Sequence, residues 1–452
     1  MTQNRIYLDY AATTPVDPAV ERAMRPYFGV RFGNAGSVHS FGQEAIAALD
    51  VSRERIAKAL GAEFREIVFT GSATEANNLV LRGVVKGIRN YELGIKDDTK
   101  QKKSIIHNSN FIIPRIIVSA IEHESVLETA KDLEQNGVEV VYVPVSEEGF
   151  IDLGKLKAAL NDRTILISVM YANNEVGTIQ PLAEISDIIR NFRARNVVDV
   201  ENVVINQRAE VGDRTTATIR TTRTPYPLFH TDAAQAFQYL PVGVRTLGVD
   251  FMTISAHKIY GPKGVGVLYV RNYESGIMNQ GSKKAIIRNS KFIIRSVITG
   301  GGQEFGLRSG TENVPFVVGA AEAIVRAAAA REKEATRVRV LRDYFWKKLR
   351  AAWPGVRLNG GTKKRLPNNL NVWFSGRRAE ELLIHLDRRG IAVSSGAACS
   401  ARAQGPSYVI QALGFSLERA RESIRFTLGR QTTKMELDKT VKVIKEIKKA
   451  NF

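Results

Sequence analysis

Apolar runs and amphipathic stretches follow one another along this chain in a recurring order. Residues 67–70 form a short apolar and β-branched run that ends in a glycine turn, and an amphipathic stretch with helical spacing follows directly. The same order returns in the stretches 114–137 and 163–192. Short β-branched runs that feed amphipathic helices are typical of a mostly parallel sheet with helices on both faces. The pattern therefore predicts an α/β fold.

The pattern changes in the last third of the chain. Residues 250–270 predict two strands around a Gly/Pro turn. Further on, long helical stretches such as 317–350 dominate, and shorter mixed segments follow them. We therefore predict a large domain over 13–300 and a smaller α+β domain that combines 1–12 with 301–452.

Three stretches fit this plan poorly because they are polar or basic and have no clean period. They lie near 88–112, 194–226 and 272–297. The first contains KKSIIHNSNFIIP and the third KKAIIRNSKFIIR, and these two agree at most positions. Two copies are too few for a solenoid of stacked repeats. We interpret the three stretches as surface inserts, and the related copies as β-ribbons that can pair with each other.

The composition is that of a globular protein with a strong positive charge. The 452 residues include 65 Lys and Arg against 46 Asp and Glu, so the net charge is +19. Such a chain attracts nucleic acid, anionic cofactors or acidic proteins, but no zinc-finger, RNP-like or basic-zipper pattern predicts a dedicated nucleic-acid module. There is no apolar run of 18 residues, no secretion-signal pattern and only one cysteine. We therefore expect a cytoplasmic protein without a membrane partner.

Two charged residues at predicted strand ends are candidates for chemistry. Lys258 follows an apolar strand, and poor solvation there favours the neutral amine that forms Schiff bases. Taken alone, Lys258 is also explained as an ordinary surface lysine, and Lys263 in the same turn fits that explanation better. Asp232 ends another strand, at the edge where α/β sheets bind ligands. It either faces a protonated ring nitrogen of a cofactor or caps the following helix.

Two further strand ends carry candidate binding groups. The stretch 70–78 predicts a glycine turn that opens a helix, and its N–H groups form a candidate phosphate cup with Thr74 and Ser72. His123 can stack on an aromatic cofactor or carry a proton. None of the six histidines forms HExxH or a Cys/His cluster, so a metal site built by the protein alone is not expected. Together, these groups at one sheet edge are what a pyridoxal phosphate (PLP) site requires.

The single cysteine, Cys399, lies in the soft stretch IAVSSGAACSARAQG. Glycine and small residues around it lower the cost of moving a thiol. A thiolate there is a candidate nucleophile. The alternative is a small buried hydrophobic side chain.

At this point the sequence resembles a known family. The motifs lie in order between residue 6 and about residue 435, apart from the three inserts, and they resemble those of cysteine desulfurases of the NifS/IscS type. These are class V members of the PLP fold-type I aminotransferase superfamily. The resemblance implies a mostly parallel sheet of the seven-stranded type flanked by helices, with a smaller α+β domain. The motifs are YLDYAATTP, FGNAGSVHSFG, TGSATEANN, IEHESV, ANNEVGTIQP, HTDAAQ, SAHKIYGPKG, GGGQEFGLRSGT, SSGAACSA and SIRFTLGR.

The resemblance also implies a role for each matching residue. Lys258 would bind PLP as a Schiff base, and Cys399 would accept the sulfur. His123 would stack on the cofactor ring and assist proton transfer. Asp232 would face the pyridine nitrogen, and Gln235 would hydrogen-bond the phenolic oxygen.

The remaining implied roles concern the phosphate and the substrate. A homodimer is implied because one phosphate ligand would come from a second subunit. The phosphate ligands would be Ala73, Thr74, Ser255 and His257 of one subunit, together with Thr311 of the partner subunit. The substrate ligands would be Asn34, Asn173 and Arg425, with Arg430 as a weaker alternative to Arg425.

The implied reaction takes sulfur from L-cysteine, gives L-alanine and leaves a persulfide on Cys399. An iron–sulfur scaffold protein or a tRNA-thiolating protein would receive the sulfur, and Cys399 is a candidate transient ligand of an iron–sulfur unit. The basic inserts also suit a weak contact with tRNA or an acidic protein. The alternatives are a selenocysteine lyase, another class V PLP aminotransferase, or a basic binding protein that kept the fold without catalysis.

Overall fold

The computed structural model describes residues 5–92, 113–195, 226–272, 294–395 and 405–450. Most of each predicted insert falls between these ranges. The predicted β-ribbons and their pairing therefore lie outside the described residues.

The elements follow the predicted alternation of strand and helix, and one helix extends into the first predicted insert. Over the described residues, the strands are β1 (Ile6–Tyr7), β2 (Ile67–Thr70), β3 (Arg115–Ser119), β4 (Glu139–Val143), β5 (Thr164–Ser168), β6 (Leu228–Asp232), β7 (Phe251–Ser255), β8 (Gly266–Val270), β9 (Arg357–Leu358), β10 (Asn369–Trp373), β11 (Ile391–Ala392) and β12 (Ser423–Thr427). The α-helices there are α1 (Pro18–Met24), α2 (Ser40–Leu60), α3 (Ala73–Glu92), α4 (Glu124–Gln135), α5 (Leu153–Ala159), α6 (Leu182–Arg195), α7 (Val244–Leu247), α8 (Val314–Ala352), α9 (Ala379–Asp387), α10 (Tyr408–Ala412), α11 (Leu417–Arg421) and α12 (Lys434–Lys449).

The large sheet has seven strands in the order β2-β8-β7-β6-β5-β3-β4. Strand β8 runs antiparallel to both of its neighbours, and the other pairs are parallel. Every residue of β5, β6, β7 and β8 is buried. Strands buried on both faces need not alternate apolar and polar residues, and apolar residues follow one another in β5 (ILI) and β8 (VLYV). The predicted mostly parallel sheet is confirmed.

Helices cover both faces of this sheet. One face packs in an apolar cluster with α2 and the first half of α8, represented by Leu49, Ile254 and Ile324. The other face packs in a second cluster with α3 and α4, represented by Val80 and Val126. The α/β fold predicted from the hydrophobic pattern is therefore confirmed.

A third apolar cluster forms around a smaller sheet near the C-terminus. Strands β12, β10 and β9 are antiparallel, and β1 pairs with β11 in parallel. Helix α8 joins this cluster through Phe345, and the N-terminal Leu8 packs in it with Phe426. The division of the chain into domains near residue 300 stays a prediction. Across the described residues, no helix is both long and apolar enough to cross a membrane.

The sheet positions the candidate residues because several strands end at one edge. Strands β2, β3, β5, β6 and β7 point the same way, as their pairing requires. The loops after β3, β5, β6 and β7 carry His123, Asn173, Gln235 and Lys258. Ligands of α/β sheets bind at this carboxyl edge.

Candidate active site

Lys258 ends a short 3₁₀ turn that directly follows β7. Its Nζ donates hydrogen bonds to the backbone carbonyls of Ala11, at 2.5 Å, and Ala12, at 2.7 Å. The Gln235 side chain donates to the same Ala11 carbonyl at 3.0 Å. Lys263, in contrast, is exposed. The structure therefore distinguishes two lysines that lie in one turn of the sequence.

Asp232 is a buried carboxylate at the end of β6. Its Oδ2 accepts a hydrogen bond of 2.8 Å from Asn77 Nδ2, and its Oδ1 accepts one of 2.9 Å from the Ala234 backbone. Both donors are neutral, and Asp232 forms no ion pair with any lysine or arginine that the structure describes. Asp232 was also a candidate helix cap. Its bond from the Ala234 N–H closes a turn, but no helix begins there.

His123 is half-buried and caps α4. Its Nδ1 accepts a hydrogen bond of 3.1 Å from the Ser125 backbone N–H and lies 2.9 Å from Ser125 Oγ. Ser125 Oγ in turn accepts a bond of 2.8 Å from Asn77. The motif TGSATEANN contains Asn77, but the sequence did not indicate that its amide would contact both Ser125 and Asp232.

The candidate phosphate cup lies where α3 starts. Ser72 Oγ accepts from the Glu75 backbone at 3.1 Å and so caps the helix. Gly266 of β8 pairs with Thr70 of β2 on one side and with Ser255 of β7 on the other. A Cβ at Gly266 would come within 2.5 Å of the Ser72 backbone, so only glycine allows this close approach. The cup is therefore bordered by the helix start and the end of β7.

Charge around the cup is partly balanced by the protein itself. Glu75, in the first turn of α3, forms an ion pair with Arg308 at 2.8 Å, which limits the repulsion that Glu75 would exert on an anion. His257 Nδ1 lies 3.1 Å from Thr13 Oγ1. Burial, together with Lys258 and Lys263, lowers the pKa of His257 to about 4.

Arg425 lies on β12 and is almost fully buried. Its guanidinium donates to Asp9 Oδ1 at 2.8 Å and to the Asn174 carbonyl at 3.0 Å. We refer to Arg425 with its partners Asp9 and Asn174 as the Arg425 wall. The neighbouring Asn173 is fully buried and orders this loop, because its Oδ1 accepts from the Glu175 and Val176 backbones.

Arg430, the weaker alternative to Arg425, is engaged elsewhere. Its Nη1 lies 3.0 Å from Asp17 Oδ2, and its guanidinium carbon lies 4.1 Å from the centre of the Tyr260 ring. Arg425, and not Arg430, shares the Asp9–Thr13 stretch with Lys258 and His257. The geometry therefore favours Arg425 as the cation of this site.

The N-terminal stretch after β1 connects the Arg425 wall with the turn that carries Lys258, and its part in the site was not evident from the sequence. Asp9 binds Arg425, Ala11 and Ala12 accept from Lys258, and Thr13 contacts His257. The contacts with Arg425 and Lys258 join residues 416 and 247 positions apart. The motif YLDYAATTP was visible in the sequence, but these partners were not.

Cys399 lies outside the described residues, although the chain on either side of it is placed. On one side, Ser394 and Arg425 exchange backbone hydrogen bonds of 3.2 and 2.6 Å. On the other, Ser407 Oγ donates to the Glu175 carboxylate at 2.5 Å, and burial raises the pKa of Glu175. Both ends of the cysteine-bearing segment therefore lie beside the Arg425 wall.

Three predicted ligands lie at the surface of the single chain. Thr74 is exposed at the start of α3, and Thr311 is exposed ahead of α8. Asn34 is also exposed, and its Oδ1 accepts from the Gly36 backbone at 2.9 Å within its own loop. The assignments of Asn34 and Thr311 as ligands stay predictions.

The chemistry of this site fits pyridoxal phosphate. Asp232 is a buried carboxylate whose two hydrogen-bond donors are neutral, and a protonated pyridine nitrogen is the kind of cation such a group requires. Lys258 supplies an amine at the same sheet edge, and the start of α3 supplies N–H groups for a phosphate. Among the described residues, no group of His, Cys, Asp and Glu is arranged to hold a metal ion.

Comparisons with known proteins show which families this chain resembles. The family model for the class-V aminotransferases matches residues 6–95, 113–216 and 213–440, and the first break falls in the first predicted insert. A curated relative, cysteine desulfurase IscS of Dictyoglomus turgidum (strain DSM 6724 / Z-1310), is 41% identical over 445 residues, which cover 98% of this chain and 95% of that relative.

Two solved structures extend the comparison. A NifS-like protein superposes with a TM-score of 0.78 and 32% identity, over 98% of this chain and 99% of that one. SspA in complex with cysteine superposes with a TM-score of 0.69 and 30% identity, over 94% of this chain and 98% of that one.

Proposed function

This chain belongs to the class-V aminotransferase family, among the NifS- and IscS-like cysteine desulfurases, and we propose from this membership how its residues take sulfur from L-cysteine. The products are L-alanine and a persulfide on Cys399. The observation that carries the residue roles is the contact of Lys258 with the Ala11 and Ala12 carbonyls, on the stretch that also binds Arg425.

The cofactor we propose is pyridoxal phosphate, which, when bound, withdraws electrons from an attached amino acid and makes its Cα–H acidic. Lys258 would hold it, and the same amine would take the Cα proton of the substrate. Asp232 would keep the ring nitrogen protonated, Gln235 would donate a hydrogen bond to the phenolic oxygen, and His123 would stack on the ring. The phosphate would be held by Ala73, Thr74, Ser255 and His257.

Substrate is held on the Arg425 wall. The guanidinium fork suits a carboxylate, because it can donate two parallel hydrogen bonds. Asp9 orients the fork from one side, and the Asn174 carbonyl orients it from another. We assign Asn173 and Asn34 to the substrate side as well.

Sulfur transfer is the step that we assign to Cys399. Its thiolate attacks the sulfur of the bound cysteine, an S–S bond forms, and the Cβ–S bond of the substrate breaks. The electron pair of that bond returns to the substrate carbon skeleton, which takes up protons and leaves as alanine. The enzyme keeps the sulfur as a persulfide. Only the thiolate is nucleophilic, so Cys399 must lose its proton before it attacks.

The direct test of this function uses the purified protein loaded with pyridoxal phosphate. With L-cysteine and a reducing thiol, we expect alanine and sulfide in equal amounts. An aminotransferase would instead need an oxo-acid co-substrate and would release no sulfide. Sulfide release that does not depend on the cofactor, or no sulfide release at all, would contradict the proposal.

The persulfide requires an acceptor, and we propose an iron–sulfur scaffold protein or a tRNA-thiolating protein in a reducing cytoplasm. The net charge of +19 favours an acidic acceptor. Electrostatic attraction of this kind chiefly raises association rates and weakens with salt.

We propose a homodimer as the working unit. Five large apolar side chains are exposed on the stretch that carries Asn34, which is unusual for a surface that stays in water. A second copy would cover this stretch and would bring Thr311 of the partner subunit to the phosphate. The exposed fractions are 61% for Phe28, 82% for Val30, 68% for Phe32, 92% for Val38 and 49% for Phe41.

A charge placed on this apolar stretch is expected to separate the subunits. Val38→Glu introduces an acid at a position that is 92% exposed in the single chain, so the fold tolerates it. We expect light scattering to show the wild type at twice the chain mass and the variant largely as monomer, with weaker cofactor binding. Val340→Glu, at a 65% exposed valine of α8, is the matched control and should stay dimeric. A wild type that is monomeric at micromolar concentration would contradict the dimer.

A conservative change at Arg425 is expected to weaken substrate binding. Arg425→Lys keeps the charge opposite Asp9 but loses the fork, so we expect the KM for L-cysteine to rise roughly 10- to 100-fold. Steady-state kinetics at varied L-cysteine measure this. Arg430→Lys, which should keep its contact with Asp17, is the control and should leave KM unchanged. If the Arg430 variant shows the larger rise in KM, the assignment of Arg425 is wrong.

A further inference from the structure

Ser125 connects two residues to which the proposed function gives separate tasks. Three hydrogen bonds link His123 to Asp232 through Ser125 and Asn77. Asn77 is fully buried, and Ser125 and Asp232 are at least nine-tenths buried. The donors and acceptors that each group in this hydrogen-bonded chain offers determine which atom carries which proton.

The first constraint comes from the backbone. The N–H of Ser125 points at His123 Nδ1 at 3.1 Å, and an amide N–H can only donate. Nδ1 must therefore present its lone pair. A neutral imidazole has one N–H, so the proton of neutral His123 lies on Nε2.

The second constraint comes from the side chains. Asn77 Nδ2 carries two hydrogens, one directed to Asp232 Oδ2 and one to Ser125 Oγ, each at 2.8 Å. Because Ser125 Oγ accepts from Asn77, its own hydrogen is available for His123 Nδ1, 2.9 Å away. Every donor in the chain then has one acceptor, and both Nδ1 contacts favour the same tautomer.

We propose that Ser125 is a positioning residue that holds His123 as its Nε2–H tautomer and braces it against Asp232 through Asn77. This inference rests on the proposed function, in which His123 and Asp232 contact the cofactor ring. The Asn77 amide does not transfer protons. The hydrogen-bonded chain therefore orients His123 and Asp232 and does not conduct protons between them. It presents the Nε2–H of His123 away from α4 and fixes the rotamer of the Asp232 carboxylate.

Charged groups on several elements lie near His123, but they do not belong to the hydrogen bonds that link His123 to Asp232. Glu124 follows it on α4, while Glu175 lies on the loop after β5 and interacts electrostatically with both Glu124 and His123. Glu122 is buried just before His123. Asp232 is the charged group that the hydrogen-bonded chain itself reaches. A variant that removes only the Ser125 hydroxyl leaves all these charges in place.

The test is nitrogen NMR of histidine-labelled protein without cofactor, with the His123 signals assigned by His123→Gln. We expect the wild type to carry its ring proton on Nε2. In Ser125→Ala the backbone N–H and the helix cap remain, but one donor to Nδ1 is lost. We expect the preference for the Nε2–H tautomer to fall by roughly tenfold. Ser125→Thr, which retains the hydroxyl, should restore it.

Kinetics provide the second measurement. In Ser125→Ala we expect kcat to fall about tenfold with KM and cofactor content unchanged, because orientation and not binding is lost. Thr129→Ala is the matched control. It removes a buried hydroxyl one turn later that donates to the Ser125 carbonyl and does not reach His123.

The outcomes separate this inference from the function on which it rests. A wild-type His123 with its proton on Nδ1 overturns the inference whatever the activity. So does a Ser125→Ala spectrum identical to that of the wild type. A shifted tautomer in a protein that releases no sulfide from cysteine supports the brace and removes the proposed function.

Discussion

Lys258→Ala is expected to lose turnover by about 10³-fold or more, because the change removes both the anchoring amine and the base at Cα. The amine lies against two backbone carbonyls at the sheet edge, and alanine has no amine to contact them. We expect the absorbance band of the lysine–cofactor Schiff base to disappear, while the cofactor can still bind through the phosphate cup. Visible spectra and alanine release measure these two effects separately.

The matched control for Lys258 is its neighbour in the same turn. Lys263 is exposed, and Lys263→Ala removes the same charge from the same loop. We expect this variant to keep the Schiff base and full turnover. If Lys258→Ala retains the lysine–cofactor band, or if Lys263→Ala loses it, the anchoring role moves to the other lysine.

Cys399→Ala is expected to retain the cofactor spectrum and to lose sulfide release on the order of 10³-fold or more, because no other thiol exists in the chain. Substrate should still bind, since Arg425 and Lys258 are unchanged. Mass spectrometry of the wild type after one turnover without reductant should show one added sulfur atom. The variant should show none.

A serine beside this cysteine offers the control for the cysteine variant. Ser400→Ala changes an adjacent polar residue and leaves the thiol. We expect it to form the persulfide as the wild type does. Sulfide release by Cys399→Ala at the wild-type rate would mean that the sulfur leaves the substrate without a protein thiol, and the persulfide step would be abandoned.

Local patterns were sufficient for the architecture. The run at 67–70, the strand pair at 250–270 and the long helical stretch at 317–350 appear as β2, β7 with β8, and α8. The strands depend on short apolar and β-branched runs, the helix depends on a spacing of 3.6 residues, and glycine or proline marks the turns, so these features lie within a short window. The inserts have no such spacing, and their predicted pairing lies outside the described residues.

The contacts of the site depended on distant parts of the chain. Asn77 reaches Asp232 across 155 positions, and Lys258 reaches Ala11 across 247. Such contacts depend on the order and register of strands, which the hydrophobic period does not contain. The sequence therefore shows that the motifs contain Asp9, Asn77 and Ser125, but it does not show which residues these three contact.

The sequence by itself determined which elements form and which reactive groups stand at strand ends, because both follow from short-range spacing and turn chemistry. Only the tertiary structure decided how those groups meet. It brings the N-terminal stretch against β12 and the turn after β7, and it directs two N–H groups of one buried amide at Asp232 and Ser125. The physical reason is that a hydrogen bond needs its two atoms within about 3 Å, and only chain packing sets that distance between remote residues.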